Sequence, residues 1–182
     1  GGRKGPLPAP PSVTAAYRLP FRPMFERTAL PDGPRVISAR LPGSRSVTIE
    51  AHVLAGSRHE AADQAGCAHF MEHLTFKGTR RYPTTRALSE AVEGIGGTFN
   101  ASTDRETTVY YVRVPLRHAA LAMSVLGELI ARPLLDEKEI EQERDVIVEE
   151  IRGYLDDPAE YCQILFQQAM FGSGPLGREI CG

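Results

Sequence analysis

Residues 47–55 constrain the fold more than any other stretch of the chain. Val47, Ile49, Ala51, Val53 and Ala55 alternate with Thr48, Glu50, His52 and Leu54, and a period of two sends successive side chains to opposite faces of a strand. One face is apolar and the other largely polar, so this strand belongs to a sheet with cover on one side. The rest of the sequence must supply that cover. Downstream, residues 66–76 switch to a helical pattern. Residues 84–95 form a second helix, with Leu88, Val92 and Ile95 as its apolar stripe and Gly96-Gly97 as its stop.

Residues 98–114 return to strand chemistry, with an unbroken β-branched and aromatic run from Thr107 to Val112. Helices follow. Residues 117–131 are amphipathic and halted by Pro133. Asp136 is placed to cap a long acidic helix that reaches Tyr154 or beyond, and residues 159–171 make a last one. Near the start, residues 25–30 and 35–41 flank Pro31-Asp32-Gly33-Pro34, which predicts a hairpin. Residues 1–23 are rich in Gly and Pro and read as an extended arm. Strands first and helices after imply an α+β domain over residues 24–182, an antiparallel sheet with helices packed on one face.

Charge narrows the partners. The chain has 21 basic and 23 acidic residues, scattered along its length, which leaves no electrostatic footprint for nucleic acid. No segment reads as membrane-spanning, and the N-terminal run lacks the apolar core of a signal peptide. Three cysteines at unrelated spacings, Cys67, Cys162 and Cys181, fit reduced thiols and a cytoplasmic location better than a disulfide framework. Cys67 is read as a small packing residue. His52, His59 and His118 show no partner pattern and are expected to be structural or at the surface.

The chemistry lies in His69-Phe70-Met71-Glu72-His73. Two imidazoles four apart on a helix share a face and can both reach one metal ion. The H-x-x-E-H order also holds a carboxylate, Glu72, beside that ion without requiring it as a ligand. A third ligand is needed. The acidic helix offers Glu143 and Glu150, seven apart and therefore on one face two turns from each other; one can be a ligand and the other a support. Two neutral imidazoles and one carboxylate leave zinc an open fourth position for water, whose pKa the metal lowers to about 7. The chemistry implied is metal-assisted amide hydrolysis.

These residues resemble the inverzincin metalloendopeptidases, which include pitrilysin, insulin-degrading enzyme and the β subunit of the mitochondrial processing peptidase. The resemblance is carried by GCAHFMEHLTFKGTRRYP, GGTFNASTDRETTVYY, ERDVIVEEIRGYLDDP and FGSGPLGREICG. It implies a Zn²⁺ ion on His69, His73 and Glu150, with Glu72 as general base. Glu143 becomes an added catalytic-site acid that supports a ligand imidazole or the water. Glu149 is the nearest competitor for the ligand role, but one helical step of about 100° should point it elsewhere. A substrate peptide would add to a sheet edge at Phe99, Asn100 and Ala101, with Phe76 lining the pocket after the scissile bond.

The implied substrates are peptides or unfolded polypeptides. The implied architecture is a half-clamshell that works with a second half, in the same chain or as a partner subunit of a dimer. On this reading the zinc-binding peptidase domain is incomplete at the C-terminus. Asp156, Asp157 and Glu160 are read as a solvated cluster before a partner for basic substrate residues. Two alternatives stay open: a noncatalytic peptide-binding subunit of the same family, and an S-ribosylhomocysteine lyase-like enzyme with a cysteine as third ligand.

Overall fold

The computed structural model describes residues 25–182, so the Gly/Pro-rich arm lies outside the described residues. The described residues divide into two compact units, with the boundary between Gly43 and Ser44. In the first, β1 (Phe25–Ala29) and β2 (Arg35–Ala39) pair antiparallel with Arg27 opposite Ile37. The Leu30 amide donates to the Pro34 carbonyl across the turn at 2.8 Å, and Gly33 takes the positive φ (99°) that the turn demands. This is the expected hairpin.

The second unit holds β3 (Ser46–Val53), α1 (Cys67–Thr75), α2 (Thr85–Glu93), β4 (Thr98–Thr103), β5 (Thr108–Pro115), α3 (Ala119–Ala131), α4 (Glu137–Asp156) and α5 (Pro158–Phe171). Its antiparallel sheet runs β3-β5-β4, with Ile49 opposite Val112 and Val112 opposite Phe99. The alternation seen in the sequence becomes the two faces of this sheet. Val112 and Val114 are fully or almost fully buried against Ala122, Val125, Leu126 and Leu129 of α3 and against Leu88 and Val92 of α2. Thr48, Glu50, His52, Thr98, Asn100, Ser102 and Arg113 line the opposite, exposed face. The unit is an α+β fold with its helices on one side.

Local chemistry sets the helix ends. Thr84 accepts from the Ala87 amide, Asp136 from Lys138, and Asp157 from Ala159, each satisfying an amide that the first turn leaves without a partner. Asp157 alone separates α4 from α5, and Pro158 opens α5 where its missing N–H costs nothing. Residues 98–114 take up the expected strand conformation, interrupted once. They fold into two strands joined by a tight turn, in which the Asp104 amide donates to the Thr107 carbonyl at 2.8 Å.

That hydrogen bond also fixes the pairing phase of β4. Counting in twos from Asp104–Thr107, residues 98, 100 and 102 bond to β5, while residues 99, 101 and 103 turn their backbone groups to the strand's other side. Among the described residues no strand pairs there, so β4 is an edge strand. The Ala101 amide accordingly donates to its neighbour's side chain, Asn100 Oδ1, at 2.9 Å.

Candidate metal centre

Helix α1 starts without a capping side chain of its own, because Gly66 occupies that position with φ 88°. Glu60, from the preceding loop, takes over: its carboxylate accepts from the amides of Gly66 (2.9 Å) and Ala68 (2.6 Å). An acid at a helix N-terminus is favoured by both hydrogen bonding and the helix dipole. The Arg178 guanidinium in turn donates to the Glu60 carbonyl at 2.7 Å. The helix bearing the two histidines is thereby anchored at its first turn.

His69 and His73 present their Nε2 atoms to each other at 3.2 Å. Glu150 of α4 faces the same space, with Oε1 3.9 Å from His69 Nε2 and Oε2 3.7 Å from His73 Nε2. Among the described residues, these three form the one cluster whose ligand atoms all lie within 4.8 Å of one another. Two nitrogens bound to one tetrahedral zinc at roughly 2.05 Å lie about 3.3 Å apart. The imidazole pair is therefore already spaced for a shared ion, and the two oxygens of the carboxylate, each nearest a different imidazole, stand further out at 3.9 and 3.7 Å.

Protonation favours the same assignment. Glu143 is buried and accepts a hydrogen bond from His73 Nδ1 at 2.8 Å. An ionised carboxylate only accepts, so Nδ1 is the nitrogen that carries a proton, and in the neutral ring this leaves the Nε2 lone pair for the cluster. Burial pushes the Glu143 carboxyl upward, but hydrogen bonds from Lys77 and His73 outweigh it and leave the group below its ordinary range. Lys77 forms an ion pair with the other oxygen of Glu143. Burial first, and then the adjacent His73, hold His69 below its ordinary value and keep it neutral. Neutral imidazoles and an ionised acid are the states a divalent cation binds.

Each remaining carboxylate also has a partner. Glu72 Oε2 accepts from the Thr103 hydroxyl at 2.5 Å, and Glu150 Oε1 accepts from the Tyr154 hydroxyl at 2.6 Å. Donation to that carboxylate raises the Tyr154 phenol above its ordinary range. Glu149 points away from the cluster, with its side chain 69% exposed and paired with Arg152. Cys181 lies nearby without joining the cluster. Burial and the neighbouring Glu150 push its thiol up to about 12, so it remains protonated, whereas the thiolate is the metal-binding form. Cys67, expected to pack, is exposed at the first position of α1, whose buried residues are His69, Leu74 and Thr75.

The other sequence-derived residues fall at the sheet edge and the core boundary. Phe76, just past α1, packs with its ring centroid 5.6 Å from Phe99 and 6.4 Å from Tyr110. Phe99 and Ala101 face the core side of β4, and Asn100 is exposed. Thr103, Lys77, Tyr154 and Glu60 are the site residues that reading the sequence missed. Only Tyr154, four residues after Glu150 on one helix, left a signal that spacing could have revealed.

Residues 35–182 match the family described as Insulinase (Peptidase family M16). The chain belongs to this family. A Streptomyces coelicolor relative named an uncharacterized zinc protease is 41% identical over 158 residues, covering 86% of this chain and 34% of that protein. A probable mitochondrial-processing peptidase subunit beta from Arabidopsis thaliana is 39% identical over 172 residues, covering 94% of this chain and 32% of that protein. This M16 chain thus spans about a third of the length of these relatives. Among solved structures, a protease from Helicobacter pylori has a TM-score of 0.81 at 26% identity, covering 87% of this chain and 38% of the other. A peptidase M16 inactive domain from Pseudomonas fluorescens shares the fold with a TM-score of 0.79 at 14% identity, over 87% of this chain and 38% of its own. No helix among the described residues is long and apolar enough to cross a membrane.

Proposed function

We propose that this M16 chain provides the zinc-binding part of an endopeptidase that hydrolyses peptides or unfolded polypeptides. The observation that carries the reading is the convergence of His69, His73 and Glu150 on one space beside Glu72. In this reading His69 and His73 supply Nε2 and Glu150 a carboxylate oxygen to zinc, while Glu143 keeps the His73 ring turned toward it. Bound there, zinc supplies Lewis acidity, which acidifies water and polarises an amide carbonyl.

Glu72 is the general base. Thr103 anchors Oε2, and the other oxygen takes the proton of the attacking water and returns it to the departing amine. The open edge of β4 holds the substrate backbone through Ala101 once Asn100 releases its amide, with Phe99 beneath and Phe76 bordering the following side chain. A second half-clamshell, from the same polypeptide or a partner subunit, closes over the peptide. Three free thiols support a reducing compartment such as the cytoplasm.

The test compares the zinc-loaded complete chain with its Glu72→Gln variant on a quenched fluorescent peptide. We expect kcat to fall by about 10²–10⁴-fold with zinc content unchanged. Equal turnover by the two proteins removes the mechanism, and no turnover by either leaves a peptide-binding subunit as the better description.

A further inference from the structure

We propose that Tyr154 is a positioning residue for Glu150, holding one oxygen of that carboxylate so that Glu150 meets a divalent cation in a single orientation. The proposal rests on the reading of Glu150 as a metal ligand. The three acids around the cluster are tethered unequally. Glu143 is gripped from both sides, by His73 and Lys77, and Glu72 is held by Thr103. For Glu150 the Tyr154 hydroxyl, at 2.6 Å, is the one hydrogen-bond donor among the described residues.

The tether follows from helix geometry. Residues four apart on α4 share a face, so the phenol of Tyr154 reaches its own ligand acid without help from another element. The need for it follows from exposure. Glu150 keeps 29% of its side-chain surface open, against 5% for Glu143, so packing alone does not fix its carboxylate, whereas His69 and Tyr154, the groups on either side of it, line a polar cavity of about 260 Å³. Without the phenol, the carboxylate is free to rotate or to offer both oxygens to the ion. Hydrogen bonds that orient a ligand raise metal affinity, and losing one typically costs 10–100-fold.

The experiment uses the complete chain and measures Zn²⁺ affinity by competition with a chromophoric chelator, alongside the thermal midpoint of the metal-free protein. Tyr154→Phe keeps the ring and removes only the hydroxyl. We expect its zinc affinity to fall 10–100-fold with the metal-free midpoint unchanged, and the visible spectrum of its Co²⁺ form to differ from wild type. Glu150→Ala should lose more affinity, and adding Tyr154→Phe to it should change nothing further. Wild-type affinity in Tyr154→Phe beside a weakened Glu150→Ala overturns the proposal and leaves the ligand assignment intact. Wild-type affinity in Glu150→Ala overturns the ligand assignment itself. A metal-free Tyr154→Phe protein that melts early or fails to fold makes the residue structural, and an additive loss in the double variant means that it acts through another group; either result overturns the proposal.

Discussion

Helix α4 carries chemically identical side chains in two settings. Glu143 and Glu150 turn inward, with side chains 5% and 29% exposed, and meet histidines, a lysine and a tyrosine. Glu141 and Glu149 turn outward, 62% and 69% exposed, and meet only arginines three residues along the same helix. The seven-residue interval defines the inner row, and a displacement of one or two residues leaves it. Identity of residue type therefore says little about what a carboxylate does; the groups that desolvate it and donate to it decide.

The comparison is broken most severely by removing an inner acid. Glu150→Ala is expected to lose more Zn²⁺ affinity than the roughly 100-fold that loss of a supporting hydrogen bond can cost, as read by chelator competition. Glu143→Gln should follow with a loss of about 10–100-fold, because the His73 ring keeps its Nε2 but no longer has an ionised acid fixing its tautomer. An unchanged affinity in Glu143→Gln would place that acid outside the metal's support.

Buried acids away from the cluster extend the test to stability. Glu128 of α3 is 6% exposed and accepts from the Arg81 amide (2.9 Å) and from Arg132 (3.1 Å). Burial alone would raise its carboxyl; these donors hold it below the ordinary value of 4.5. A depressed acid stabilises the fold above its unfolded pKa and loses that contribution as pH falls through the folded value. Urea titrations should therefore show wild type ahead of Glu128→Gln at pH 7, with the gap closing below pH 4.5. A gap independent of pH would mean that packing, not charge, explains the difference.

Glu60→Ala should cost about 1 kcal/mol of stability, since two amides of α1 lose their acceptor. The smallest effects belong to the outer row. Glu149→Ala and Glu141→Ala should each change stability by less than about 0.5 kcal/mol and leave zinc affinity untouched. A loss of zinc in Glu149→Ala would reverse the assignment of inner and outer faces.

What the sequence disclosed and what it withheld divide along the range of the interactions. The clustering of His69, His73 and Glu150 was legible because each pair repeats at a helical interval: His69 with His73, Glu143 with Glu150. The cap at Asp136 and the stop at Gly96, whose φ is 77°, were legible because they are local. Glu60, Thr103 and Lys77 were not, since each reaches its partner through a loop path or a sheet register that no interval encodes. The turn after Thr103 was hidden for another reason. Leu135 is the one non-glycine with positive φ among the described residues, so this hairpin turns without the Gly or Asn that signals such a connection in sequence.

Gly66 joins two parts of the second unit that lie far apart along the chain. A Cβ there would collide with the carbonyl of Cys181 and crowd the backbone of Gly182, so the opening of α1 and the closing residues are fitted backbone to backbone. A side chain at position 66 would force the backbone at residues 181–182 away from the turn that leads into His69. Deuterium uptake at the amides of Ala68 and His69 should therefore rise in Gly66→Ala.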